Sequence, residues 1–338
     1  MMKNFETAIS FDDVLLVPRH SNIETRAEID LSSTIGDRDF KIPIVSSPMD
    51  TVTEEEMVKA MSAAGGLAVV HRYNTISQQR DIVMNTKRGV AAAAIGVSGD
   101  FLERARALFE VGVNTFCVDV AHGHHEMMKH ALRSLRSVFK NKINIIAGNV
   151  ATLEAFNDLA DWGADAIRVG IGGGSICSTR IMTGHGIPTF QSVLNCTKSD
   201  RSAVLIADGG IKNSGDIVKA LAAGADMVML GSMLAGTEES PGQALQDNLG
   251  NKFKVYRGMA SREAQIAWRG EARSLEGVST TVPYKGEVSS ILADLTQNIR
   301  SGLSYSGCRT ISELQAYAKF IRQTSAGQVE SHTHILKK

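Results

Sequence analysis

The stretch Ala166-Ile-Arg-Val-Gly-Ile-Gly-Gly-Gly-Ser-Ile-Cys-Ser-Thr-Arg180 runs from a short apolar segment straight into a glycine-rich polar loop. An apolar run of this length bounded by glycine reads as a buried strand, with the polar residues just beyond its C-terminal end. The same arrangement recurs along the chain. Strands are predicted over Ile42–Ser47, Leu67–His71, Val90–Gly96, Thr115–Val120, Ile143–Gly148, Ala166–Gly170, Val204–Ala207 and Met227–Gly231. Between them, Phe101–Val111, Met127–Phe139 and Leu153–Trp162 carry apolar residues at helical spacing. Continuous apolar strands alternating with amphipathic helices imply a parallel sheet covered on both faces. A closed barrel and a doubly wound open sheet both satisfy that pattern. Ser46–Asp50, His71, Asp119, Asn149, Gly170–Gly174, Asp208–Gly210 and Gly231–Ser232 all lie near or just past a strand's C-terminal end. A barrel gathers such residues on one rim, where barrel enzymes place their chemistry; an open sheet spreads them along an edge. The expected fold is α/β, a single (β/α)8 TIM barrel over residues 1–338.

Length and composition agree with this. The chain has 338 residues, 43% hydrophobic and 21% charged, an ordinary globular balance with enough chain to bury a large core. Lys+Arg and Asp+Glu stand at 36 each, so no global charge points to nucleic acid or an anionic membrane. An anionic ligand would be held locally. Cys117, Cys177, Cys196 and Cys308 show no paired spacing, which suits a reducing compartment and leaves room for a reactive thiol. The first residues lack a basic segment followed by an apolar one, and no apolar run approaches the roughly 18 residues of a membrane span. A cytoplasmic enzyme is expected. After the eighth strand, residues 256–286 are rich in charge and glycine with weak periodicity; they read as an active-site covering or as a solvated loop. A helix is predicted over Ile291–Ile299. The tail, residues 323–338, contains Glu330-Ser331-His332-Thr333-His334, whose two histidines alone make a poor metal site.

Within the opening stretch, Gly170, Gly172, Gly173 and Gly174 let a ligand approach the main chain closely, and Ser175 adds a hydroxyl suited to phosphate. Cys177 stands in polar surroundings with Arg180 nearby, a setting that favours thiolate. A glycine loop alone can be no more than a tight turn. A cysteine and a threonine set directly behind it are much less common. Asp208-Gly209-Gly210 offers a carboxylate for ribose hydroxyls and amides beyond it. Gly231-Ser232 offers another amide and hydroxyl after the eighth strand, where barrels often bind phosphate. Each pair alone is as readily a turn or a helix cap. With the cysteine loop they make a coherent nucleotide site.

Val169-Gly-Ile-Gly-x-Gly-Ser-Ile-Cys-x-Thr-Arg180 resembles the signature of the IMP dehydrogenase/GMP reductase family. Phe11-Asp-Asp-Val-Leu-Leu-Val-Pro18, Ser47-Pro-Met-Asp50, Asp119-Val-Ala-His-Gly123, Ala147-Gly-Asn-Val150, Ala207-Asp-Gly-Gly210, Gly231-Ser-Met-Leu-Ala-Gly236 and Tyr256-Arg-Gly-Met259 extend the match nearly end to end. Gly173 departs from it, standing where the family usually has proline, and is expected to loosen the loop. The resemblance implies that Cys177 attacks C2 of a purine nucleoside monophosphate. It implies that Ser175, Asp208, Gly209, Gly210, Gly231, Ser232, Tyr256 and Gly258 hold the nucleotide, with Met259 by the base. Asp119, Val120, Ala121, Asn149, Gly170, Ile171 and Gly172 would then face a nicotinamide cofactor. The carbonyls of Gly172, Gly174 and Cys177 would bind a potassium ion. Glu330-Ser331-His332 resembles the segment that completes this ion site from a neighbouring subunit in many bacterial dehydrogenases, which implies a homotetramer.

Two reactions share this chemistry. The dehydrogenase oxidises IMP with NAD and hydrolyses the adduct to XMP. The reductase expels ammonia from GMP and takes hydride from NADPH to give IMP. Hydrolysis needs an activated water, deamination a proton donor for the leaving amine. Dehydrogenases of the family carry an Arg-Tyr pair in a long flap; residues 259–276 here are shorter and contain none. Instead, Trp268-Arg-Gly-Glu-Ala-Arg273-Ser-Leu-Glu276-Gly277 is similar to the reductases' Arg-x-x-Glu-Gly element. That similarity implies a Thr179–Glu276 dyad protonating the departing ammonia, with Arg273 and Gly277 contacting nucleotide or cofactor. Only Asn74–Arg88 follow the second strand, so no CBS pair is inserted there. The Phe11–Pro18 opening, the Glu-Ser-His tail, Ala260 in place of a usual serine and Arg72 in place of a usual lysine lean towards the dehydrogenase. Arg269 is then the candidate water activator. The flap weighs most, because a missing base is not offset by similarity elsewhere. The expected activity is NADPH-dependent GMP reductase, with a CBS-less, NAD-dependent IMP dehydrogenase as the alternative. Intact Cys177, Thr179 and Glu276 disfavour a nucleotide-binding protein without turnover.

Overall fold

Successive side chains of a strand point to opposite faces, so a strand with no polar face has to be buried on both. In the computed structural model, which describes residues 5–272 and 276–333, strands of this kind close into a parallel barrel. They are β1 (Ile44–Ser46), β2 (Leu67–Val70), β3 (Ala91–Ile95), β4 (Thr115–Asp119), β5 (Asn144–Val150), β6 (Ala166–Val169), β7 (Val204–Asp208) and β8 (Met227–Leu230). Val228–Leu230 pair with Ile44–Ser46 and shut the ring. All the predicted strands are present, and the expected (β/α)8 architecture is the observed one.

The alternation divides the core in two. Val45, Val69, Ala94, Cys117, Ile146 and Ile206 fill the barrel interior. Ile44, Val70, Phe116, Ile145, Leu205 and Val228 face outward onto the helices. Ile35 and Phe40, from the hairpin Ser33–Ile35 and Arg38–Phe40, join the inner cluster. Arg38 ties that hairpin to the starts of the strands, donating to Thr115 Oγ1 and the Val90 carbonyl, each at 2.9 Å. The N-terminal end of the barrel is thus plugged. Two residues further along the inward-facing register, Cys117 is followed by Asp119, Ala166 by Arg168 and Ile206 by Asp208. The top layer of the barrel is therefore polar.

Helices α1 (Glu55–Ala64), α2 (Ile76–Met84), α3 (Phe101–Glu110), α4 (Glu126–Phe139), α5 (Leu153–Asp161), α6 (Thr179–Thr183), α7 (Thr189–Cys196) and α8 (Ser214–Ala222) follow their strands. Their starts are set locally: Thr75, Thr152 and Asn213 each accept a hydrogen bond from a first-turn amide, as N-caps do. α4 buries Met128, Ala131, Leu132, Leu135 and Phe139, the spacing of one helical face. Only residues 71–75 separate β2 from α2, so no domain is inserted there.

Residues 256–286 depart from the weakly periodic segment expected. They contain most of an antiparallel pair, β9 (Lys252–Arg257) and β10 (Ser279–Pro283), with α9 (Arg262–Arg269) between them. These elements are too short for periodicity over a long window to register. Local signals were present nonetheless. Ser261 caps α9 by accepting from the Ala264 amide at 3.2 Å, and Gly270 ends it at φ +77°. Arg273, expected at the nucleotide or cofactor, lies outside the described residues, as do residues 334–338 of the tail. The final long helix, α10 (Val288–Tyr305), exceeds the predicted Ile291–Ile299 at both ends, because Val288 and Leu303 are also buried. Among the described residues, no helix is long and apolar enough to cross a membrane.

Candidate active site

The polar layer floors a cavity of about 690 Å³ at the C-terminal ends of the strands, the face on which barrels of this kind carry their chemistry. β6 leads directly into it. Gly170 turns the chain at φ +148°, and a Cβ there would stand 1.9 Å from the Asp208 carbonyl oxygen. Glycine is what allows the loop to lie against β7. Gly173 has little room for a side chain: a Cβ there would meet Thr189 Oγ1 at 2.5 Å and the Gly209 carbonyl carbon at 3.3 Å. Arg180 differs from expectation. Its guanidinium donates to the carbonyls of Ile171 (3.2 Å) and Ile187 (2.7 Å), bracing the loop instead of facing the sulfur.

The partner of the sulfur is Thr179. Cys177 Sγ donates to Thr179 Oγ1 at 3.1 Å, and that hydroxyl donates to Glu276 Oε2 at 2.9 Å. Glu276 arrives from the far end of the flap through main-chain pairing. The Ser178 amide donates to the Glu276 carbonyl and the Val278 amide to the Ile176 carbonyl, both at 3.0 Å, with Cys177 opposite Gly277. The flap is joined to the cysteine loop by a short antiparallel bridge.

Across the cavity, Tyr256 of β9 is buried and hydrogen-bonded to the Ser175 side chain. Burial pushes its phenol up to about 12, the bond to Ser175 opposing the shift. A Cβ at Gly231 would lie 3.1 Å from the Tyr256 hydroxyl, so Ser175, Gly231 and Tyr256 converge from three segments. Met259 is fixed by its sulfur, which accepts the Asp50 amide at 3.3 Å. The Asp50 carboxylate in turn holds Arg257 at 2.6 Å.

Of the residues expected to have a catalytic, ligand-binding or ion-binding role, all but four stand around this cavity. Cys177, Thr179 and Glu276 line it; so do Ser175, Asp208, Gly209, Gly210, Gly231, Ser232, Tyr256, Gly258, Met259 and Gly277. On the remaining side stand Asp119, Val120, Ala121, Asn149, Gly170, Ile171, Gly172 and Gly174. Arg273 lies outside the described residues. Glu330, Ser331 and His332 are exposed, and their tail packs beside Phe11–Asp13, where the Gln323 amide donates to the Asp13 carbonyl at 2.9 Å. Among the described residues no group of three or more His, Cys, Asp or Glu side chains could hold a metal ion.

Several lining residues were missed. Arg168 sits 6% exposed between Asp119 and Asp208. Burial by itself would lower its pKa, but the carboxylates outweigh it and hold the guanidinium well above its ordinary value. A charge inside an otherwise apolar strand was the available signal. Tyr73, also on the lining, stacks at 4.2 Å and 14° on Trp268, which lies behind it, with Arg72 over both rings. They pin α9 to the loop after β2, and nothing local in either segment announces that contact.

Fold and site define a (β/α)8-barrel enzyme with a hydrogen-bonded cysteine, threonine and glutamate on its C-terminal rim. Residues 8–334 match the model of the IMP dehydrogenase / GMP reductase domain, and the chain belongs to that family of oxidoreductases. It is 34% identical to an inosine-5'-monophosphate dehydrogenase of Nitrosopumilus maritimus, covering 98% of each chain, and 30% identical to a GMP reductase of Leishmania major, covering 98% of this chain and 97% of that one. Those alignments run over 471 and 479 residues against a chain of 338, so both relatives carry residues without a counterpart here. The crystal structure of GMP reductase C318A from Trypanosoma brucei in complex with guanosine 5'-monophosphate superposes with a TM-score of 0.93, at 30% identity over 98% of each chain.

Proposed function

We propose that the chain is a GMP reductase, converting GMP and NADPH to IMP and ammonia through a covalent adduct on Cys177. The observation that carries this reading is the hydrogen-bonded chain Cys177–Thr179–Glu276, which gives the thiol proton a path to a carboxylate. The thiolate adds to C2 of the purine. The 2-amino nitrogen takes protons delivered through Glu276 and Thr179 and leaves as ammonia. The nicotinamide cofactor, when bound, supplies the hydride that reaches C2, and the C–S bond breaks to restore the thiolate.

Ser175, Gly210, Gly231, Ser232 and Tyr256 would hold the phosphate and Asp208 the ribose; Asp119 and Asn149 would face the cofactor. Carbonyl oxygens suit a potassium ion. Gly174 is compatible with that role, since its carbonyl accepts the Cys177 amide at 3.1 Å and keeps a lone pair. We assign the barrel as one catalytic unit with residues 256–286 as its covering, working as a cytoplasmic homotetramer. The binding of guanosine 5'-monophosphate by the Trypanosoma brucei protein supports a purine monophosphate as substrate.

One observation favours the dehydrogenase. Arg269 lines the same cavity, its guanidinium against the Trp268 ring and bonded to Gln265, where it is placed to act on a water. NADPH absorbance and ammonia release with GMP, measured beside XMP formation from IMP and NAD, separate the two. Consumption of NADPH with GMP is expected; robust XMP formation without it reverses the assignment.

A further inference from the structure

The polar layer contains a junction that binding roles for its separate members do not explain. Arg168 Nη1 donates to Asp119 Oδ1 at 2.5 Å, while Nη2 and Nε donate to Asp208 Oδ2 at 2.8 and 3.2 Å. Asn149 Nδ2 adds a further bond to the same Asp208 oxygen at 2.8 Å and another to the Gly170 carbonyl at 2.8 Å. Three N–H groups therefore converge on Asp208 Oδ2. This orientation leaves Oδ1, which takes no hydrogen bond from the described residues, for a ligand hydroxyl. Asp119 is held in the same way, its second oxygen 3.8 Å from Arg72 Nε.

Guanidinium is planar, and its donors have a fixed angular relation. A shift of either carboxylate turns the plane that orients the other. Asp119 and Asp208 are part-buried, and on Asp208 every hydrogen bond from the described residues falls on one oxygen, so a ligand hydroxyl donating to the other would complete its partners. A ligand ordering one carboxylate thereby lowers the cost of ordering its counterpart.

We infer that Arg168 is a positioning residue shared by the nucleotide and cofactor halves of the site, and that it makes their binding cooperative. This rests on the proposed reading of Asp208 as the ribose grip and Asp119 as a cofactor contact. A lysine at 168 keeps the positive charge but not the planar fork, so it separates charge balance from orientation.

The test is calorimetric titration of nucleotide with and without saturating oxidised dinucleotide. GMP with NADP⁺ and XMP with NAD⁺ are both non-reacting pairs, so the outcome does not depend on which reaction the enzyme runs. Wild-type protein is expected to bind nucleotide about tenfold more tightly when dinucleotide is present, within the usual range of coupling between sites. Arg168→Lys is expected to bring that ratio to within about twofold of unity while the protein stays folded. Asp119→Asn leaves the Arg168–Asp208 pair in place. It is expected to lose the cooperativity too, read at dinucleotide concentrations that saturate the variant itself, and it decides the matter if Arg168→Lys does not fold. A wild-type ratio in both variants, or a loss of nucleotide affinity with cooperativity intact, overturns the inference. The assignment of the reaction fails separately, in the turnover assay.

Discussion

Replacing Glu276 by glutamine isolates the proton-transfer role from the structural one. The Thr179 hydroxyl donates to Glu276 Oε2 at 2.9 Å, and the side-chain carbonyl of glutamine can accept that same bond. The Ser178 and Val278 amide bonds that dock the flap are main-chain and are untouched. Weakening one hydrogen bond costs about 0.5–1.5 kcal/mol, a factor of roughly 2–12 in rate. Losing a positioned general acid costs about 10²–10⁴, equivalent to about 2.7–5.4 kcal/mol. The two ranges do not overlap, so the size of the effect identifies the role. For Glu276→Gln, kcat with GMP and NADPH is expected to fall by at least about 100-fold while KM for GMP moves less than about threefold. Thr179→Val, close in shape but without the hydroxyl, is expected to match it, and Thr179→Ser to retain most of the rate. The assay is NADPH oxidation with ammonia measured in parallel. A Glu276→Gln enzyme within about tenfold of wild type would show that the carboxylate only holds the flap in place.

Three further outcomes follow from the same geometry. Burial pushes the thiols of Cys117 and Cys196 up to about 12 and also raises that of Cys308; an alkylating agent at neutral pH is therefore expected to modify Cys177 alone, with GMP protecting it, as peptide mapping would reveal. Tyr256→Phe removes a hydroxyl bonded to Ser175 in the proposed phosphate grip and is expected to raise KM for GMP by about 10–100-fold, the range for a hydrogen bond to a charged group, with little change in kcat. Gly170→Ala places a Cβ 1.9 Å from the Asp208 carbonyl; denaturant unfolding is expected to register a loss of about 1–3 kcal/mol or more, together with lost activity, and an unchanged midpoint would show that the loop does not need this close approach.

The barrel was legible because its determinants are local and repeated. The barrel strands are mainly apolar runs, and residues that break or end them, Asp119, Asn149, Arg168, Gly170 and Asp208, mark the rim. Most of the site was legible for the same reason, since residues just beyond strand ends are brought together by closure of the ring. What the sequence did not disclose depends on contacts between distant segments. The Tyr73–Trp268 stack joins the loop after β2 to α9, and no periodicity couples two single aromatic residues so far apart. Arg180 was misread because proximity in sequence to Cys177 says nothing about direction; its side chain turns back to the Ile171 and Ile187 carbonyls.

The choice between hydrolysis and deamination belongs to this same class of distant contact. In the proposed reading the loop around Cys177 makes an adduct in either case, and the barrel below it would supply ligand contacts that both reactions need. What differs is which group reaches the adduct from above. The flap offers two, Glu276 through Thr179 and Arg269 from the end of α9. Glu276 is tied to the cysteine loop by main-chain bonds at its own carbonyl and at the Val278 amide, so its carboxylate is delivered wherever that loop goes. Arg269 is held through its side chain, by Trp268 and Gln265 on its own helix and by the Glu271 carbonyl just beyond it, and its reach depends on how α9 rests on Tyr73. A group fixed to the nucleophile by backbone pairing keeps its geometry through the formation of the adduct, and that is the property required of an acid for the leaving amine.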